Sequence, residues 1–124
     1  MLTPGQGLEG VEDFVLEVVR RAGADACPPF VVGVGMGGNF EVRCLLAKKA
    51  LLRPLNRVHA VASYARLEAT LLEKINNLGI GPQGMGGKTT ALGVLIETFP
   101  CHIASLPVAV NIECHSHRHG RCVL

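Results

Sequence analysis

Five cysteines and five histidines supply the side chains best suited to metal binding or nucleophilic chemistry. Cys27 precedes two prolines, which lack backbone donors and stiffen the turn that they occupy. A thiolate held in such a rigid corner suits a soft metal or an iron–sulfur cluster. The alternative is a small buried cysteine with a packing role, and the local pattern leaves both interpretations of Cys27 open.

The carboxyl-terminal segment also has the composition of a metal site. Its candidate ligands are Cys114, His115, His117, His119 and Cys122. Zinc sites prefer cysteine pairs and histidine pairs spaced two to five residues apart on a defined turn. Alternate histidines of an extended segment share one side and do not form a tetrahedron. We therefore disfavour zinc here, and we expect Cys44 and Cys122 to be small buried apolar residues.

Two glycine-rich segments resemble nucleotide-binding loops. The segment Gly33–Gly38 has the G-x-G-x-x-G spacing and follows a predicted strand. A dinucleotide site also needs an acidic residue about 20 positions later, and none occurs between Arg57 and Ala62. These glycines are better explained by a tight turn against another buried group, with nucleotide binding as the alternative.

The segment Gly81–Thr89 ends in Gly-Lys-Thr, as a phosphate-binding loop does. The opening glycine of such a loop should stand where Pro82 stands, so the spacing from Gly81 is one residue too long. Two interpretations stay open. The loop amides and Lys88 could contact an anion, or the segment could be an ordinary turn.

Composition narrows the class of protein. The 124 residues suffice for one domain with its own core, and 48% hydrophobic against 18% charged residues excludes a disordered chain. Only 4% aromatic residues and a net charge of +2 argue against nucleic-acid binding. The sequence contains no apolar run of membrane-spanning length and no signal peptide, so we expect a cytoplasmic protein. An odd number of cysteines in that compartment argues against a disulfide framework.

Alternating helices and strands predict an α/β fold that positions these residues. The apolar spacing predicts helices at Leu8–Ala22, Phe40–Leu52 and Ala60–Leu78, the last being the longest. Strands are predicted at Phe30–Val34 and Leu106–Cys114, and Thr89–Glu97 fits either a strand or a short buried helix. The glycines of Gly33–Gly38 would follow the first strand, and Gly79–Lys88 would form a loop.

Five blocks, taken together, resemble the iron–sulfur hydro-lyases, namely the alpha subunit or alpha-type catalytic domain of class I fumarases and L(+)-tartrate dehydratases. The blocks cover nearly the whole chain, and their combination is more specific than any one glycine motif. They are Ala26–Pro29, Val32–Gly38, Leu46–Arg53, Ile75–Gly87 and His102–His119.

The resemblance implies a [4Fe-4S] cluster held by three cysteines, with one iron open to substrate. Cys27 and Cys114 match two of the three metal ligands, and His102 matches a substrate-binding histidine. The third cysteine belongs to the amino-terminal half of such a subunit, and none of the other cysteines matches its motif. Residues 1–124 therefore resemble the carboxyl-terminal part of the alpha-type catalytic domain.

The expected function is that of a hydro-lyase which adds or eliminates water on a small dicarboxylic acid. The resemblance does not separate fumarate from tartrate, and no general acid or base is assigned to this chain. It implies a beta subunit or domain as partner, and we expect an oligomer and an isolated chain without activity. The alternatives are a nucleotide-binding module that uses Gly33–Gly38 and a non-catalytic fragment that docks on partner subunits.

Overall fold

Three α-helices and three strands are the main elements of the part of the chain that the computed structural model describes, residues 1–117 and 120–124, and short 3-10 turns occur between them. The helices are α1 (Gly7–Ala22), α2 (Phe40–Ala50) and α3 (Ala62–Asn76). The strands are β1 (Phe30–Gly37), β2 (Ala91–Phe99) and β3 (Val108–Glu113). The predicted α/β class is confirmed.

The strands form one mixed sheet in the order β2-β1-β3. β1 runs parallel to β2, with Phe30 opposite Ala91 and Gly37 opposite Phe99. β1 runs antiparallel to β3, with Val31 opposite Glu113. The start of β1 therefore lies beside the start of β2 and the end of β3, and these three chain segments share one end of the sheet.

The two faces of β1 differ because large residues alternate with glycines along it. Val32, Val34 and Met36 are buried on one face in the core shared with α1 and α3. Gly33 and Gly35 lie on the other face, under α2. A Cβ atom on Gly35 would lie 2.1 Å from the carbonyl oxygen of Arg43, so α2 rests directly on the strand backbone.

The predicted position of the first glycine segment is wrong. Gly33, Gly35 and Gly37 do not follow the strand in a loop or a tight turn, but belong to β1 and are buried. Alternation along an extended strand explains this, because every second residue faces α2 and must leave room for it. The nucleotide-binding alternative thereby loses the phosphate loop on which it depended.

The other elements follow the predictions with shifted boundaries. Asn39 caps α2, since its side-chain oxygen accepts the backbone N–H groups of Glu41 at 3.1 Å and Val42 at 2.9 Å. The predicted Ala60–Leu78 helix is shorter, and α1 with 16 residues is longer than α3 with 15. Thr89–Glu97, which fitted two interpretations, contributes most of β2 because its backbone pairs with β1.

A buried carboxylate ties α3 to the outer edge of the sheet. Glu68 is only 9% exposed; it accepts the backbone N–H of Ile96 in β2 at 2.8 Å and pairs with the Arg53 guanidinium. The carboxylate thus has both a charged and a backbone partner, as a buried charge requires. Among the described residues, no helix is both long and apolar enough to cross a membrane.

Candidate functional site

Cys27 and Cys114, the two predicted metal ligands, lie at the same end of the sheet. Cys27 stands three residues before β1, and Cys114 follows directly after β3. The antiparallel register sets Val31 opposite Glu113, which brings the segment leading into β1 beside the segment leaving β3. Both thiols are free and partly buried. Strand pairing thus brings Cys27 and Cys114, which are 87 positions apart in the sequence, to the same end of the sheet.

Cys27 sits in a constrained backbone turn. Its φ of 52° and ψ of 60° place it in the left-handed region, which side-chain-bearing residues seldom adopt. Its backbone N–H donates to the carbonyl oxygen of Ala24 at 3.0 Å, and its thiol lies 3.9 Å from the carbonyl oxygen of Asp25. Strained residues of this kind are common at ligand sites, and here the turn fixes where the thiol can be.

Cys114 is paired with a hydroxyl group. Its Sγ lies 2.9 Å from Oγ of Ser116, which belongs to a one-turn 3-10 helix at His115–His117. The Ser116 side chain lowers the pKa of the Cys114 thiol, and the Ser116 backbone acts in the same direction. Both contacts stabilise the thiolate, which is the form of cysteine that binds metals.

A glycine-rich loop between α3 and β2 lies beside the Cys27 turn at this end of the sheet. The backbone N–H of Gln83 donates to the carbonyl oxygen of Pro28 at 2.8 Å, so the loop contacts the Cys27 turn directly. A Cβ atom on Gly84 would lie 2.3 Å from Cβ of Ala24. The prediction of a loop at Gly79–Lys88 is confirmed, and its glycines at 79, 81, 84, 86 and 87 all have positive φ.

Two polar side chains, one half-buried and one fully buried, hold the base of this loop. The side-chain oxygen of Asn76, at the end of α3, accepts the backbone N–H groups of Thr90 at 2.8 Å and Ala91 at 2.9 Å. Thr90 is fully buried, and its hydroxyl accepts the backbone N–H of Gly81 at 3.1 Å. The loop therefore leaves and rejoins the core at fixed points, while Lys88 near its end is exposed.

The two cysteines do not complete a set of metal ligands within the described residues. Residues 1–117 and 120–124 contain no group of three or more Cys, His, Asp or Glu side chains placed to hold a metal. Two thiols can supply two of the three ligands that the resemblance implies. His119, a member of the disfavoured zinc group, lies outside the described residues. Cys44 and Cys122 are exposed, so the expectation that both are buried is wrong.

His102 lies at the opposite end of the sheet. It follows β2 in a loop whose Pro100 and Pro107 carbonyl oxygens accept the backbone N–H groups of Gly38 and Gly37. The paired length of β1 and β3 separates this loop from Cys114 by about 17 Å, at about 3.3 Å per residue. Strand pairing therefore sets the His102 loop and the two cysteines of the same copy near opposite ends of the sheet.

The local geometry of His102 leaves one ring nitrogen available. Its Nδ1 accepts the backbone N–H of Ala104 at 3.1 Å. In the neutral imidazole, Nε2 then carries the proton and can donate to a partner. The ring is exposed, so this donor can reach a ligand from outside the chain.

Sequence reasoning missed Ser116, Asn76 and Thr90. Ser116 could have been found, because a hydroxyl two residues from a candidate thiolate is within hydrogen-bond reach in a tight turn. Asn76 and Thr90 gave no signal, since their contacts join residues 9 to 15 positions apart. Such contacts depend on how α3 meets β2 and not on local spacing.

Comparison with known proteins gives consistent matches. A family model described as fumarate hydratase (Fumerase) matches residues 1–123. A Methanocaldococcus jannaschii protein named "Putative L(+)-tartrate dehydratase subunit alpha" is 53% identical over 118 residues, 95% of this chain and 41% of that protein. Proteins of Escherichia coli and Shigella boydii named L(+)-tartrate dehydratase subunit alpha are each 42% identical over 120 residues, 97% of this chain and 40% of theirs.

The chain thus spans about two fifths of the length of the curated relatives it matches. The family match spans residues 1–123, the stretch of the chain in which both cysteines and the glycine-rich loop lie. The resemblance to class I fumarases and tartrate dehydratases is confirmed. On the strength of the match over residues 1–123, this chain belongs to the fumarate hydratase family.

Proposed function

We propose that this chain is part of a hydro-lyase that adds or eliminates water on a small dicarboxylic acid, and that Cys27 and Cys114 are two of the ligands of its [4Fe-4S] cluster. The observation that supports the proposal is that strand pairing sets the segments bearing these two free thiols at the same end of the sheet. The family match and the names of the relatives support the reaction class.

At this end of the sheet, the two thiolates and the glycine-rich loop would have different roles. When bound, such a cluster supplies an open iron that acts as a Lewis acid on a hydroxyl and a carboxylate group. The Cys27 turn and the end of β3 fix the positions of the two thiolates. The loop at 79–90 brings glycine backbone close to the Cys27 turn, where amides can approach a cluster or an anion without obstruction by side chains.

The proposal assigns no general acid or base to this chain. The predicted role of His102 in substrate binding also stays a prediction, and its place at the other end of the sheet separates it from Cys27 and Cys114 of the same copy. Since two ligands and no base are present, we expect the 124-residue chain by itself to be inactive. Measurable hydration of fumarate by the chain alone would contradict that expectation.

Exposed apolar residues support the proposal of a partner. Phe40 and Leu45 on α2 are 67% and 66% exposed, and Leu52 just after it is 79% exposed. Exposed apolar side chains of this size favour burial against another chain or domain. We include in the proposal a beta subunit or domain, an oligomeric enzyme and a cytoplasmic location. A fragment that only docks on partner subunits is the second candidate, because the same exposed residues favour it.

Anaerobic reconstitution with iron and sulfide tests the ligand assignment. An added low-molecular-weight thiol supplies the missing third ligand. We expect the wild-type chain to develop the visible sulfur-to-iron charge-transfer absorption, and the Cys27→Ala, Cys114→Ala double variant to lose it. Cys44→Ala, Cys101→Ala is the matched control, because both of those thiols are exposed and lie outside the site.

The outcomes separate the candidates. Absorption that survives in the Cys27→Ala, Cys114→Ala variant, or that is lost equally in the control, contradicts the ligand assignment. Failure of the wild-type chain to take up iron under these conditions also counts against it. Association with a partner subunit that is unchanged by the double substitution, with no cluster in either form, favours the docking fragment.

A further inference from the structure

The contact between Cys114 and Ser116 changes character when the sulfur binds a metal. Cys114 Sγ and Ser116 Oγ are 2.9 Å apart, and with a protonated thiol either atom could donate. A metal-bound thiolate carries no hydrogen, so only the serine hydroxyl can then donate. Metal binding would therefore fix the direction of this hydrogen bond, from Ser116 to Cys114.

Cys27 has no comparable donor in its own turn. Among the described residues, the hydrogen-bond partner of its thiol is the carbonyl oxygen of Asp25, at 3.9 Å. A carbonyl oxygen can only accept, so it offers nothing to a thiolate. The two sulfurs therefore have different neighbours, since Cys114 lies beside a hydroxyl group that can donate to it and Cys27 lies beside a carbonyl oxygen that can only accept.

The chain geometry makes the Ser116 contact specific to Cys114. Ser116 lies two residues further on, in the 3-10 turn that ends β3, so the turn itself sets the distance between the two side chains. A hydrogen bond to a ligand sulfur withdraws charge from it and orients it, and such bonds are among the levers that set the potential of iron–sulfur groups.

We propose that Ser116 is a positioning residue that donates a hydrogen bond to the Cys114 sulfur. The hydrogen bond orients this sulfur at the end of the sheet that holds both cysteines, and it raises the reduction potential of the metal group bound there. This inference rests on the proposed function only through the ligand role of Cys114. The hydroxyl stabilises the more negative, reduced state because it withdraws charge from the sulfur. Its loss leaves the ligand set intact and changes the electronic properties of the group.

The test compares four forms of the full 124-residue chain after reconstitution. They are the wild type, Ser116→Ala, Ser116→Thr and Ser105→Ala. The last is the matched control, because the Ser105 hydroxyl also makes a local hydrogen bond, to the His102 carbonyl oxygen at 3.1 Å, but at the other end of the sheet. The readout is the midpoint potential of the bound metal group, and electron paramagnetic resonance monitors its reduction.

We expect the Ser116→Ala variant to have a more negative midpoint potential than the wild type. Ser116→Thr should restore the wild-type value because it keeps the hydroxyl, and Ser105→Ala should leave it unchanged. A merely structural role would not separate alanine from threonine in this way. An unchanged potential in Ser116→Ala, or an equal shift in Ser105→Ala, would overturn the inference.

Binding of Co²⁺ alone gives a second readout that does not need the cluster. Donation to sulfur moves the sulfur-to-cobalt charge-transfer band to higher energy, so Ser116→Ala should shift the band to lower energy and Ser116→Thr should not. Cys114→Ala distinguishes a failure of the ligand assignment from a failure of the Ser116 inference. If it leaves both the cobalt band and the cluster absorption unchanged, the ligand assignment is wrong; if it abolishes them while Ser116→Ala shifts nothing, only the Ser116 inference is wrong.

Discussion

The two glycine-rich segments look alike in the sequence and do opposite things in the structure. In β1 the glycines at 33 and 35 have ordinary strand conformations, and they are glycine because α2 leaves no space for a Cβ atom. In the loop before β2 the glycines have positive φ, and two of them, Gly79 and Gly86, face open space. The first segment therefore makes packing possible, and the second makes an unusual backbone path possible.

The difference teaches that a glycine motif has to be located before it can be interpreted. The strand segment lies in the core and has no accessible backbone to offer to a ligand. The loop segment lies beside Cys27, at the end of the sheet where the chemistry is proposed. Substitutions that add one methyl group test this comparison, because each segment predicts a different cost for the same change.

The largest expected effect is that of Gly35→Ala. The new Cβ atom would lie 2.1 Å from the Arg43 carbonyl oxygen and 2.6 Å from the Ala47 backbone nitrogen, so α2 must move away from β1. Overpacking against backbone should cost about 3 kcal/mol of unfolding free energy, measured by urea denaturation. Gly5→Ala is the control and should change stability by less than about 0.5 kcal/mol, since its Cβ would meet nothing within 4 Å.

A Gly35→Ala chain as stable as the wild type would show that α2 does not rest on the strand backbone. The comparison between the two segments would then fail, because the close approach of α2 would no longer explain the glycines of β1. An equal loss of stability in Gly5→Ala would point instead to a general effect of the methyl group.

A smaller effect is expected in the loop, from Gly84→Ala compared with Gly86→Ala. Both residues have positive φ, 73° and 88°, so both variants should lose about 1–2 kcal/mol from backbone strain. Only Gly84 also faces a close neighbour, Cβ of Ala24 at 2.3 Å, so its substitution should cost more. Urea denaturation measures both costs, and amide hydrogen exchange over residues 24–30 reports on the Cys27 turn.

We expect faster exchange near Cys27 in Gly84→Ala than in Gly86→Ala, because the first substitution pushes the loop off the turn. Equal exchange in the two variants would mean that the loop does not support the turn. In that case the loop would be a connection between α3 and β2 with no part in positioning the thiol.

The smallest effect concerns an ion pair away from both glycine segments, between Lys74 of α3 and Glu12 of α1. The hydrogen bond and the charge of Glu12 raise the pKa of Lys74 above its ordinary value. A raised pKa of a cationic group stabilises the folded chain below the ordinary pKa, and this contribution disappears as pH rises through the raised value. Glu12→Gln should thus be slightly less stable than the wild type at pH 7, with the difference vanishing in strong alkali.

Thermal unfolding from pH 7 to alkaline pH measures that difference. For Gly35→Ala and for Gly84→Ala, the loss of unfolding free energy should not change with pH over this range, because neither clash involves a charged group. A pH-dependent cost for Gly35→Ala, or a gap between Glu12→Gln and the wild type that widens with pH, would contradict this separation of effects.

Much of the fold could be predicted because its signals are local. The four-residue spacing of Val11, Val15 and Val19 marks the buried face of α1, and the side chain of Asn39 caps α2. The first strand was predicted with its end too early. Its glycines alternate with Val and Met, a period of two that indicates a strand, but glycine usually indicates a turn and the turn interpretation was preferred.

The candidate site was less accessible to sequence reasoning. The roles of Cys27, Cys114 and His102 came from a resemblance to whole blocks, and strand pairing sets only the two cysteines at the same end of the sheet. The anchoring of the loop by Asn76 and Thr90 had no local signal, because it depends on how the end of α3 meets the start of β2. The contact of Gln83 with Pro28 spans 55 positions and has the same origin.

The order of residues along the chain determined the helices, the α/β class, the conformational freedom of the loop and the presence of thiols beside turn-forming residues. These features depend on the residue itself and on neighbours within a few positions, where propensity and spacing act. Tertiary structure alone decided which end of the sheet each functional residue occupies. That choice follows from strand direction, since β3 returns antiparallel to β1 and carries Cys114 to Cys27 while leaving His102 at the far end.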